Sequence, residues 1–206
     1  MPNDLQESSR ISRRAFGTAI VGGAALVLLP RPVLALDVAS ARALIDKAIG
    51  EVNSTINSGK SQNAMYGDFE RIFVRYSDVA VIARSALGVA ARSASAAQMS
   101  AFTQAYQGYI SRKYGRRFRE FIGGRIEVVD ARPMKSYFEV ISVAYLQGES
   151  PFDLRWHVSN KSGRDLFFNI IIEGVNMLAS ERTEIGSMLD RRKGDLNGLI
   201  TDLKTA

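Results

Sequence analysis

Residues 166–178, reading LFFNIIIEGVNML, constrain the fold more than any other stretch of this chain. Nine of the thirteen are apolar, and the polar members are Asn169, Glu173 and Asn176. Leu166, Phe168, Ile170, Ile172 and Gly174 share one parity, while Asn169 and Glu173 interrupt the other. Strand side chains alternate between faces, so the stretch is predicted as a strand with one face deeply buried and the other largely so. A strand that apolar needs cover on both sides, from protein alone or from protein and an apolar ligand together.

The rest of the chain supplies enough material for that cover. It has 206 residues, 46% of them hydrophobic, a formal charge of +6 and no cysteine. This fits one globular domain with a real core rather than a disordered or disulfide-stapled chain. Without cysteine there is no disulfide, thiol catalysis or Cys-ligated metal, and a single histidine, His157, argues against structural zinc.

The first 35 residues read as a leader, leaving 36–206 as a single domain. Ser12-Arg13-Arg14-Ala15-Phe16 has the form of a twin-arginine export core, and an apolar run to Leu29 follows it. Val33-Leu34-Ala35 suits a signal peptidase, which places cleavage after Ala35. Arg31 fits the twin-arginine route; Gly17-Thr18, where Leu-Lys is usual, leaves the general secretory route open. The run is shorter than the ~20 residues a span needs, though an uncleaved anchor is the competing reading. The leader carries four basic and two acidic residues, so the remainder keeps +4 of the +6. That mild basicity suits transient contact with anionic lipid or an acidic partner, and export disfavours nucleic acid.

Helical periodicity dominates the first half of the domain. Residues 37–58 place Val38, Ala41, Ile45, Ala48, Val52 and Ile56 on one stripe, and Gly59 stops it. Residues 63–76 repeat the pattern with Met65, Phe69, Ile72, Phe73 and Tyr76. A shorter helix over 78–87 starts on Asp78 and ends at Gly88. The longest runs over 95–122, opened by the capping box Ser95-Ala96-Ala97-Gln98 and closed by Gly123-Gly124. Its stripe is Met99, Phe102, Tyr106, Ile110, Tyr114, Phe118 and Phe121. Arg112, Arg116 and Arg119 project opposite, with Lys113 and Arg117 at the edges, as a solvated face or a docking cluster.

The period then changes from 3.6 to 2. Residues 125–129 read as a short strand, and 135–146 alternate Tyr137, Glu139, Ile141, Val143 and Tyr145 against Phe138, Val140, Ser142, Ala144 and Leu146. Residues 152–159 alternate Phe152, Leu154, Trp156 and Val158 inward with Asp153, Arg155, His157 and Ser159 outward. The loop 160–165 joins them to the opening stretch. Two helices, 180–192 and 195–204, close the chain. The predicted class is α+β, with helices packed on a curved antiparallel sheet of four to five strands.

Catalytic signals are sparse. His157 has the outward parity of its strand beside Arg155, as expected of a surface or hairpin residue. No G-x-S-x-G elbow, phosphate-binding loop or dinucleotide fingerprint is present, and no cofactor is implied. Glu173 is expected to be hydrogen-bonded near the strand end; buried in the sheet, its carboxyl would instead suit an isomerase-like pocket acid. What the chain offers instead is apolar and aromatic side chains on a sheet and on several helices. Helices over a concave sheet face can enclose an apolar cavity.

Several phrases resemble the MlaC family of periplasmic phospholipid carriers. They are Val74-Arg75-Tyr76-Ser77-Asp78 with Ile82-Ala83-Arg84 and Leu87-Gly88, then residues 91–98 with Phe102 and Tyr106. Ile172-Glu173-Gly174-Val175-Asn176-Met177 and the pattern Arg182, Ile185, Gly194, Leu199-Ile200 complete the set. The resemblance implies a non-enzymatic carrier moving a phospholipid between an outer-membrane lipoprotein complex and an inner-membrane ABC transporter complex. Its acyl chains would lie between helices and sheet, with the head group at the mouth. Hopanoid-associated relatives share the architecture, so a terpenoid cargo is an alternative, as is an isomerase-like enzyme on a cone-shaped fold. The expected lining is Phe73, Tyr76, Phe102, Tyr106, Ile110, Ile141, Val143, Tyr145, Trp156, Phe168, Ile170 and Ile172.

Overall fold

A computed structural model describes residues 36–117 and 121–206, and the leader therefore lies outside the described residues. Six α-helices and five strands follow the order α1 (Val38–Ile56), α2 (Gln62–Tyr76), α3 (Val79–Leu87), α4 (Ala96–Arg117), β1 (Arg125–Pro133), β2 (Phe138–Tyr145), β3 (Phe152–Ser159), β4 (Leu166–Ile172), β5 (Val175–Asn176), α5 (Met177–Arg191) and α6 (Leu196–Leu203). The helix starts are set by side chains that satisfy otherwise orphaned amides. Asp37 accepts from Ser40 N, Asp78 from Val81 N and Asp195 from Asn197 N. At α4, Ser95 Oγ accepts from Gln98 N while Gln98 Oε1 accepts from Ser95 N, a reciprocal capping box.

The strands form one antiparallel meander in the order β1-β2-β3-β4-β5. Register decides which parity faces the helices. Val140 opposes Trp156, Ser142 opposes Leu154 and Ala144 opposes Phe152, so all of these share the inner face. Ser142 is small enough to admit the Trp156 indole, whose Nε1–H donates to Ser142 Oγ at 2.8 Å. The outer face carries Glu139, Ile141 and Val143 opposite His157, Arg155 and Asp153.

Side chains and neighbouring segments cover part of both outer sides of the meander. On β1, the Asn53 amide donates to Ile126 O at 3.1 Å and accepts from Ile126 N at 3.2 Å, and Arg42 reaches Val128 O. These bonds fasten α1 along β1. On β4, Phe167 O accepts from Asp78 N at 2.8 Å, and Asn169 Oδ1 accepts from Leu178 N.

The stretch predicted as one strand is in fact three elements. β4 ends at Ile172, Glu173 and Gly174 turn the chain with φ of 49° and 80°, and Val175 returns to pair with Ile172. Positive φ at both central residues is the two-residue hairpin geometry that matches sheet twist. Asn176 then accepts from Ala179 N and starts α5, three residues ahead of the predicted helix. A second departure lies inside β4. His157 pairs with Asn169 but Val158 pairs with Phe167, which makes Phe168 the extra residue of a bulge. The bulge shifts the parity, so Phe167, and not Phe168, joins Ile170 and Ile172 among the inner-face pairs.

Candidate ligand cavity

Between the inner sheet face and the helices lies a cavity of about 690 Å³. That falls in the upper half of the range of small-molecule sites. α1 contributes Ala48, Ile49 and Val52; α2 contributes Phe69, Ile72 and Phe73; and the sheet contributes Ile126, Phe152, Leu154, Trp156, Phe167, Ile170 and Ile172. The amphipathic stripes of both helices point here because their 3–4 spacing leaves one apolar face each. Phe167 packs edge-on against Trp156, with centroids 5.3 Å apart, and Phe121 does the same with Phe152 at 6.3 Å.

Seven of the twelve predicted lining residues border this cavity: Phe73, Tyr106, Ile110, Trp156, Phe168, Ile170 and Ile172. The other five do not. Ile141, Val143 and Tyr145 lie on the outer face, because register places the opposite parity of β2 inward; Tyr145 instead stacks under the Arg125 guanidinium at 4.1 Å. Both parities of β2 are apolar, so hydropathy left the choice open. The signal that could have decided it is charge: Ile141 and Val143 share a parity with Glu139, and their partners are Arg155 and Asp153. Tyr76 turns toward the α1–α2 surface, where its hydroxyl donates to Glu51 Oε1 at 2.7 Å beside Arg75. Phe102 is fully buried and stacked on Tyr106 at 5.7 Å, one turn behind the cavity wall.

The sequence reading missed a polar cluster in the wall where α4 meets α5. Lys113 Nζ donates to Glu181 Oε1 at 2.6 Å and to Glu184 Oε2 at 2.5 Å. The hydroxyls of Tyr114 and Tyr109 donate to Glu181 Oε1 and Glu184 Oε1, each at 2.5 Å. Burial alone would lower the Lys113 pKa, and the two carboxylates more than reverse this, holding the ammonium above its ordinary range. Burial raises the phenols of Tyr106, Tyr109 and Tyr114 further above theirs, and the nearby carboxylates add to the effect. Glu181 had a legible signature, since it falls on the apolar stripe Leu178, Ile185 and Met188 as its one charged member.

Three other expectations are corrected. His157 is on the outer face as parity implies, yet it is buried, because Tyr137 and Phe168 close over it with centroids 4.5 Å and 5.8 Å away. Glu173 is exposed in the β4–β5 turn rather than buried as a pocket acid. Arg112 is committed within the fold, donating to Leu203 O and Ala206 O at the end of α6. Of the rest of that basic group, Arg116 is exposed, while Arg119 and the Arg117 side chain lie outside what is described, as does Phe118 of the apolar stripe. Among the described residues no group of three His, Asp or Glu could hold a metal, and no helix is long and apolar enough to cross a membrane.

Fold and cavity together define a class: an α+β protein whose helices and curved antiparallel sheet enclose an apolar chamber with one polar wall. The chain belongs to the MlaC family, whose sequence profile, described as MlaC protein, matches residues 44–205. A phospholipid-binding protein from Ralstonia solanacearum, solved in complex with a phospholipid, has the same fold. Its TM-score is 0.68 at 18% sequence identity, covering 79% of this chain and 94% of that one.

Proposed function

We propose that this protein is a lipid carrier of the periplasm that holds the acyl chains of a phospholipid in the cavity between sheet and helices. The observation that carries the reading is the cavity itself, about 690 Å³ and walled mainly by aliphatic and aromatic side chains. Membership of the MlaC family and the phospholipid held by the Ralstonia solanacearum protein support it. Moving a lipid needs no covalent chemistry. Each buried methylene contributes ~0.8 kcal/mol, and the bilayer offers the same, so a chamber as apolar as the membrane lets tails enter and leave near balance. The chain's one histidine lies on the far face of the sheet, away from the chamber.

The leader at 1–35 would export the protein after cleavage at Ala35. It would then carry phospholipid between outer and inner membranes, working with an ABC transporter complex on one side and a lipoprotein complex on the other. Contact with each membrane surface would be transient. Native mass spectrometry of protein purified from its cell envelope tests the central claim. A mass increment of one phospholipid is expected; protein without lipid, which also takes none from vesicles, overturns it.

A further inference from the structure

Two buried polar atoms of the cavity wall have no partner among the described residues: the Tyr106 hydroxyl and Glu181 Oε2. Both residues border the cavity, and they are 0% and 3% exposed. An unpaired buried polar group is costly, and native structures keep few of them. The two belong to one wall: Tyr106 packs on Tyr109 with ring centroids 6.2 Å apart, and the Tyr109 hydroxyl donates to Glu184, which shares Lys113 with Glu181. From Glu184, which is half exposed, the cluster runs inward through Lys113 to Glu181, linking solvent to the chamber wall.

We infer that Glu181 Oε2 and the Tyr106 hydroxyl form a polar post that takes a hydrogen-bond-donating group of the bound lipid, so selecting among lipids with the same tails. The inference rests on the carrier reading. Its chemistry follows from what remains free. Glu181 Oε1 already accepts from Lys113 and Tyr114, while an ionised carboxylate oxygen can only accept, so the partner of Oε2 must donate. One ammonium shared between two carboxylates also leaves this wall hospitable to a second cation and hostile to a phosphate. The hydroxyl of Tyr106 can donate or accept, which suits an ammonium or hydroxyl placed between the two. A trimethylated amine has no N–H to offer and leaves both atoms unpaired.

The test offers delipidated protein equimolar vesicles of phosphatidylethanolamine, phosphatidylcholine and diacylglycerol with identical tails, and reads bound lipid by native mass spectrometry. Phosphatidylethanolamine, diacylglycerol or both are expected over phosphatidylcholine by about tenfold, the size of one charge-assisted hydrogen bond. Enrichment of the first alone assigns the donor to the head-group ammonium; enrichment of diacylglycerol as well assigns it to a hydroxyl at the glycerol. Glu181→Gln and Tyr106→Phe are each expected to bring the ratio toward one. Equal uptake of all three by the unmodified protein overturns the post and leaves the carrier reading standing. A preference that persists in both folded variants also overturns it, while no uptake of any lipid ends both readings.

Discussion

At the scale of single residues, the outer-face corner around His157 carries the clearest electrostatic consequence. His157 is 8% exposed, its Nε2 lies 3.5 Å from Glu139 Oε2, and its Nδ1 faces the Asn169 amide at 3.4 Å. An Asn169 amide that donates to Nδ1 leaves the ring proton on Nε2, toward Glu139. Glu139 is itself held by Arg132, through Nε at 2.9 Å and Nη2 at 2.5 Å. Burial pushes the His157 pKa down from 6.5, and the attraction of Glu139 offsets this only in part. The folded protein therefore binds a proton less readily than the unfolded chain. Stability from the neutral ring is complete above pH ~6.5 and is lost as pH falls below it. Urea unfolding is expected to show lower stability at pH 5.5 than at 7.5, and His157→Gln is expected to flatten that window. Carboxylates titrate lower, near pH ~4.3, so an identical slope in the variant would assign the effect elsewhere.

Among elements, the β4–β5 turn is where local strain meets the cavity rim. Glu173 occupies a left-handed conformation with φ of 49°, a region where a residue with a Cβ costs roughly 1–2 kcal/mol and where Asn and Gly sit more easily. Glu173 also borders the cavity. Replacing it with Asn is expected to stabilise the turn by about 0.5–1 kcal/mol, read as a rise of about 2 °C in the thermal midpoint. A lower midpoint would show that the Glu173 side chain stabilises the fold by more than its backbone costs. This turn also explains why the opening stretch was legible only in part. A run of Ile and Val reads as strand wherever it stands, and the hairpin signal Glu-Gly is weak because the favoured first residue is Asn or Asp. The bulge at Phe168 left no mark in the sequence at all, since Phe167 and Phe168 are the same residue and either can take the inner face.

For the whole molecule, the apolar interior is divided between solid core and chamber. α4 shows both outcomes on one helix: Phe102 is stacked into solid core, and Ile110, two turns on, borders the cavity. Ile170 sits on the central inner face opposite Trp156. Its replacement by Arg places an uncompensated charge in the chamber, where apolar surroundings disfavour both the ion and any acyl chain beside it. The expected result is a folded protein carrying at least about tenfold less lipid, measured as bound phospholipid per protein after purification. Normal loading by a folded Ile170→Arg protein would place the lipid elsewhere. An unfolded variant is answered by the smaller change Ile170→Thr, for which a partial loss is expected.

By itself the sequence determined the element types, the helix caps and the α+β class, because each rests on short-range chemistry. Asp37, Asp78 and Asp195 cap the residues beside them, and 3.6 or 2 periodicity is a property of the strand or helix alone. It also determined that β4 must be covered on both faces. Only the tertiary structure decided what covers each face, because that depends on register between segments remote in sequence. Pairing Ser142 with Leu154 turned Ile141, Val143 and Tyr145 outward, the bulge at Phe168 brought Phe167 into the inner-face pairs, and packing α5 against α4 brought Glu181 to Lys113. No periodicity within one segment encodes which of two apolar parities meets its partner. The stretch 166–178 thus anchors the chamber with Phe167, Ile170 and Ile172, and its last residues make the turn and the helix start that bring Glu181 to the wall.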